Sequence, residues 1–191
     1  MGNREDLLAG AKRCLYEKGY QATSARDIAA AAGTSLAAIG YHFGGKEALL
    51  NTALVEAAKE WGDEMERALA ADLDSDLTPA ERFEATWARV IESFTTHRDM
   101  WTAQFRLLTE LKALPDEGRF LVTALREARR ELAQIFQPTP PADGRVIGSV
   151  YHALLLGLLS QWLVDPDDAL SSTDLIEGLR AITEVVGTPG T

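Results

Sequence analysis

Between its glycine and proline breaks the chain repeats apolar residues at spacings of three and four, and no run of β-branched residues alternates with polar ones over the length of a strand. Such a chain can bury a continuous apolar face only by forming helices, so the expected fold class is all-α. The spacing predicts a first helix over Asn3 to Lys18, with Leu7, Ala11, Cys14 and Leu15 on one face and Gly19 as its left-handed stop. A second helix begins at Ser24, where Ser24 and Asp27 have the spacing of a capping box. Ile28 follows, with the alanines Ala29 to Ala32, whose small side chains allow a neighbouring helix to come close. Gly33 interrupts the run, Ser35 is placed to cap a third helix through Phe43, and Gly44-Gly45 end it.

Beyond that point the elements lengthen. A helix from Lys46 towards Ala71 carries Leu49, Leu50, Ala53, Ala57 and Trp61 inward, and Thr78-Pro79 opens another with Phe83, Trp87, Val90, Ile91 and Phe94 on its inner stripe. Trp101, Phe105, Leu108 and Leu111 mark a helix that ends before Pro115, and a further one runs from about Asp116 to Phe136. Pro138 to Gly144 reads as a loop. Two helices close the chain, about Arg145 to Leu163 and Thr173 to Val186. The first of these is apolar on more than one side and needs covering twice, which a second subunit or a central position in its own subunit would each provide.

Composition narrows the function classes. The only cysteine, Cys14, rules out an intramolecular disulfide, and no cluster of Cys and His has metal-site spacing, so neither metal nor cofactor is expected. Cys14 itself fits a small buried residue. The charged N-terminus lacks the apolar stretch of a secretory signal, and Ala153 to Leu159 is too short to span a bilayer, so a cytoplasmic protein without membrane attachment is expected. A net charge of −10 argues at first against nucleic acid. Its distribution softens the objection: in the first 50 residues Arg4, Lys12, Arg13, Lys18, Arg26 and Lys46 outnumber Glu5, Asp6, Glu17, Asp27 and Glu47 by one. A near-neutral head on an acidic body suits a protein that touches DNA with one end.

A capped short helix, a tight turn and a second short helix have the geometry that presents a recognition helix to the major groove. The unbroken string from Thr23 to Leu50, with Tyr41-His42-Phe43, Lys46-Glu47-Ala48-Leu49 and the upstream Gly19-Tyr20, resembles the N-terminal signature of the tetracycline-repressor family. That resemblance covers about the first 55 residues. It implies an N-terminal three-helix DNA-binding domain, residues 1–47, and a C-terminal helical ligand-binding and dimerisation domain, residues 48–191, in a nine-helix, Ω-shaped homodimer paired through its last two helices.

On this reading Ile39 and Phe43 face inward and hold the recognition helix, while Leu36 and Ala37 lie outward, within reach of thymine methyls. Gly40 offers no side chain where many relatives carry one. Ser35, Tyr41 and His42 are candidate phosphate or groove contacts, Lys46 adds a cation beside the amides of the following helix, and Ser24 and Arg26 open the helix that crosses the backbone. The resemblance also implies a cavity for a small-molecule effector, with Trp61, Trp87, Trp101, Phe105, Tyr151 and His152 as candidate liners and His97, Gln104, Glu110 and Gln161 as further polar candidates. No nucleophile elbow, phosphate loop or metal motif points to an enzyme. The expected function is therefore a ligand-responsive regulator acting on a double-stranded DNA operator; the alternative is an all-α small-molecule carrier that does not bind DNA.

Overall fold

A computed structural model describes residues 3–71, 77–110, 118–137 and 144–187. Among them are nine helices and no strand: α1 (Asn3–Lys18), α2 (Ala25–Ala31), α3 (Leu36–Phe43), α4 (Lys46–Ala71), α5 (Pro79–Thr96), α6 (Arg98–Glu110), α7 (Gly118–Phe136), α8 (Arg145–Val164) and α9 (Ser172–Gly187). The start expected for α7 near Asp116 and most of the Pro138–Gly144 loop lie outside the described residues. The chain forms two compact units, Met1–Glu64 with Arg98–Ala128, and Met65–His97 with Arg129–Thr191.

In the first unit, α1 packs on α2, α3 and α6. Leu7, Ala11, Cys14 and Leu15 meet Ile28, Ala29 and Ile39 together with Leu49, Leu50 and Ala53 of α4 in one core. The small residues of α2 do permit a close approach, and its partner is α1: a Cβ on Gly10 would lie 3.0 Å from both the Cβ and the amide nitrogen of Ala32. Gly19 and Gly44 have φ of 82° and 79°, the left-handed conformation that ends α1 and α3 without the steric penalty a Cβ would bring.

The α1–α2 corner is tied through Thr23, which is buried. Its hydroxyl lies 2.7 Å from the Gly19 carbonyl oxygen and 3.1 Å from that of Cys14, while its own carbonyl accepts from Lys46 Nζ at 3.2 Å. Tyr20 donates to Asn51 Oδ1 at 2.9 Å, and Lys12 pairs with Glu60 at 2.6 Å, so α4 is fastened to the corner and to α1 by polar contacts as well as by the core. Burial raises the pKa of the Cys14 thiol, consistent with a packing role.

In the second unit, α5 packs against α8 and α9. Thr78 caps it with Pro79 at the first helical position, as the sequence leads one to expect, and Glu81 completes a capping box that the sequence reading did not include. A third box, Ser171 with Asp174, opens α9 slightly before the start expected from periodicity. Trp87 stacks on Phe136 and Phe136 on Tyr151, each pair 4.6 Å between centroids, with Phe83 tilted against the stack. Helix α8 meets α7 at Gly148, where an added Cβ would sit 2.0 Å from the Arg129 carbonyl oxygen.

One expectation is corrected by α8. The apolar stretch is not limited to Ala153–Leu159, because the small and polar residues around it stay helical. The continuous helix has 20 residues, and an 18-residue stretch of it has a mean hydropathy of 1.5, long and apolar enough to cross a membrane by length and composition. Tyr151, Leu155, Leu158 and Leu159 are buried in the unit, whereas Val146, Val150 and Val164 face outward, as do Ile182 and Val185 of α9.

Gly148→Ala should push α7 and α8 apart, because the obstacle is backbone and cannot rotate away. Overpacking of this kind costs about 1–3 kcal/mol, read as a fall in Tm of about 2–4 °C per kcal/mol. Gly62→Ala, where an added Cβ meets nothing within 4 Å, should leave Tm unchanged or raised, and thermal melts of the two variants make the comparison.

Candidate nucleic-acid interface

Helices α2 and α3 have 7 and 8 residues, below the length at which an isolated helix holds its shape in water. Packing decides their orientation. Ile39, 3% exposed, anchors α3 in the core, and Phe43 packs half-buried beside it, with the Arg4 guanidinium 5.3 Å from its ring centroid. Anchoring these two residues turns Leu36, Ala37, Gly40 and Tyr41 outward. Leu36 is 48% and Tyr41 86% exposed, large side chains that no core packing explains. His42 flanks this face, half-buried and edge-on to Tyr41 at 4.9 Å.

Ser35 occupies the N-cap position of α3 with extended backbone, yet its hydroxyl makes no capping bond, contrary to the expected cap. The exposed hydroxyl and the first amides of α3 therefore lie together at the start of the outward face. Ser24, by contrast, is engaged as expected. Its Oγ accepts from the Asp27 amide at 3.2 Å, and its own amide and hydroxyl donate to Asp27 Oδ2 at 2.9 and 2.5 Å. A hydrogen bond from Lys18 first, then those from Ser24, hold the Asp27 carboxyl far below the usual aspartate range.

The cations of this unit are unequally committed. Lys12 and Lys18 are in ion pairs, Arg13 donates to the Ala31 carbonyl, and Arg4 covers Phe43. Lys46 is half-buried, tied to Thr23 and 3.6 Å from Glu47 Oε1, so it fastens the start of α4 to the α2 entry, and any contact with a phosphate would be in addition to that tie. Arg26 is exposed in the first turn of α2 and has no intramolecular partner among the described residues.

The candidate effector liners fall into two groups. Trp61 and Trp101 pack edge to face at 4.9 Å in the first unit, where Phe105 is half-buried. Trp87, Tyr151 and His152 belong to the second, Trp87 fully buried and the Tyr151 hydroxyl accepting from Gln137 Nε2 at 3.3 Å. The indole nitrogens of Trp61 and Trp87 are buried without a hydrogen-bond partner. His97 caps the C-terminus of α5, Gln104 is half-buried, Gln161 is exposed, and the side chain of Glu110 lies outside the described residues. Arg129, absent from the residues singled out in the sequence, has a buried Nε without an acceptor; its place in a charged helix face gave no local signal.

A short capped helix, a turn and a second short helix whose outer side chains lie outside the core have the geometry of a DNA-binding helix-turn-helix. Residues 7–53 match the family described as bacterial regulatory proteins, tetR family. The HTH-type transcriptional repressor AcnR of Corynebacterium efficiens is 35% identical over 130 residues, 62% of this chain and 69% of that protein. The chain belongs to the tetR family. Among solved structures, a transcriptional regulator of Streptomyces coelicolor A3(2) superposes with a TM-score of 0.69 at 21% identity, covering 98% of this chain and 100% of that one. The reduced form of Escherichia coli NemR gives 0.68 at 18% identity with the same coverage, and both likenesses speak to the fold alone.

Because the folded Asp27 carboxyl titrates below its unfolded value, its contribution to stability is present above about pH 4 and is lost as pH falls through the folded value. Asp27→Asn should therefore melt below the wild type at pH 7, and the difference should shrink progressively below pH 4. Calorimetric melts at about pH 7, 5 and 3 would show it, and a gap that widens in acid would contradict the assignment.

Proposed function

We propose that this chain is a homodimeric repressor that reads operator DNA with Ser24, Arg26, Ser35, Leu36, Ala37, Tyr41, His42 and Lys46, and releases it when a small molecule binds the remainder of the chain. The outward face of α3 carries the reading: Tyr41 is 86% exposed and touches only the ring of its neighbour His42, so core packing does not account for a large side chain there. Residues 1–47 would form the DNA-binding part and 48–191 the sensing and dimerising part, with Trp61, Trp87, Trp101, Phe105, Tyr151 and His152 the candidate effector contacts. Family membership supports both assignments.

Dimerisation through α8 and α9 would cover the outward valines of α8 with Ile182 and Val185, surface otherwise left to water. Two recognition helices carried by such a dimer would meet successive major grooves, about 34–36 Å apart. An effector can then act only by binding the DNA-competent and incompetent states with different affinity, a coupling of about 1–3 kcal/mol in typical cases.

Fluorescence anisotropy against DNA selected from a random pool tests the reading at two salt concentrations. The combined variant Arg26→Ala, Leu36→Ala, Tyr41→Ala removes exposed groups outside the core, of which only Tyr41 makes a described contact, to the His42 ring, so it should melt normally and lose sequence-selective binding. Arg26→Ala alone should reduce the slope of log K against log salt by about 0.9, the value for one phosphate contact. Full affinity in the combined variant would overturn the site. Val150→Asp should dissociate the dimer in sedimentation analysis, since a carboxylate buried there would lack a partner; an unchanged sedimentation coefficient would place the interface elsewhere.

A further inference from the structure

In the second unit the Nε of the half-buried Arg129 is buried without a hydrogen-bond partner among the described residues. Arg129 lies in α7 at a close approach to α8, its carbonyl oxygen 2.0 Å from the position a Cβ on Gly148 would take. His152 stands one turn beyond Gly148 on the same face of α8 and so beside Arg129. The Arg129 Nε is shut off from water and donates to nothing among the described residues. A guanidinium N–H in that state has lost its hydration without gaining an acceptor, an arrangement folded proteins rarely keep without a reason. The ion pairs of Lys12 with Glu60, Lys18 with Asp27 and Lys46 with Glu47 all lie in the first unit.

We propose that Arg129 and His152 form the anion-binding corner of the effector site, so that the effector carries a carboxylate or phosphate group. The inference rests on the effector-responsive reading above and names the chemistry of that site. Arg129 offers the planar fork of donors that matches an oxyanion, and His152 offers a second, neutral donor. Burial first, and the positive charge of Arg129 second, lower the histidine pKa, leaving the guanidinium as the charge an anion would answer.

The test is thermal melting of the full-length protein with phosphate, acetate, succinate and glycerol 3-phosphate, each at constant ionic strength and beside the uncharged acetamide, succinamide and glycerol. At least one oxyanion should raise Tm saturably while its uncharged counterpart does not. Arg129→Gln should weaken that response at least about tenfold, and Arg129→Lys should keep part of it, as expected when a bidentate fork becomes a point charge. Without any anion, Arg129→Met should melt at or above the wild-type temperature, because it removes an unanswered donor. Equal responses to charged and uncharged probes, an undiminished response in Arg129→Gln, or an Arg129→Met protein that melts well below wild type would each overturn the inference. Operator anisotropy in parallel separates the two readings. An uncharged compound that releases DNA where no oxyanion binds sinks the anion corner and leaves the repressor standing. An oxyanion that binds through Arg129 without changing operator affinity removes its effector role and leaves DNA reading untouched.

Discussion

Burial of Ile39 is the contact on which the DNA-reading unit depends. Helix α3 is too short to be stable alone, so its existence and its direction both come from seating Ile39 and Phe43 against α1, α2 and the start of α4. Full burial of one isoleucine contributes about 1.5–3 kcal/mol, enough to select one rotation of an eight-residue helix over the others. Once that rotation is set, Leu36, Ala37, Gly40 and Tyr41 have nowhere to point but outward. The close approach of Gly10 to Ala32 and the bonds around Thr23 serve the same end, holding the frame in which Ile39 finds its socket.

Electrostatics in this unit are arranged more for holding the frame than for attracting DNA. Of the cations near the reading head, most are engaged in ion pairs, a carbonyl contact or an aromatic face, and Arg26 remains without an internal partner among the described residues. With a net charge of −10 on the whole chain, long-range attraction to a polyanion is weak. On the proposed reading, affinity would draw on backbone amides at helix starts, hydroxyls such as Ser35 and Tyr41, and apolar contact by Leu36. A reader of this kind gains less from non-specific binding and relies more on a matched sequence.

Helix α8 shows why apolarity alone identifies no environment. Its 20 residues satisfy the length and hydropathy of a bilayer span, yet one side is occupied by the core of its own unit. Its outward valines form a separate stripe, the surface that the proposed dimer would cover. The same helix carries His152 towards α7, so one element serves the core, the proposed interface and the proposed anion corner on different faces.

The all-α class, the helix boundaries and the Ser24 and Thr78 caps were legible in the sequence because each is set by local chemistry: periodicity, glycine and proline breaks, and a side chain reaching an amide three residues away. The outward and inward faces of α3 were legible for the same reason, once Ile39 and Phe43 were known to be four apart. What Lys46, Ser35 and Arg129 do was not. Lys46 looked like a cation for phosphate and is tied to the Thr23 carbonyl, 23 residues away; Ser35 has the right residue and backbone for a cap but makes no bond; Arg129 looks like any arginine on a charged helix face. By itself the sequence determined which segments are helical and which family they belong to, since those follow from residue types at short, fixed spacings. The tertiary structure alone decided which polar groups are answered and which are left waiting, because a donor meets or misses its acceptor through contacts between segments whose separation along the chain carries no pattern.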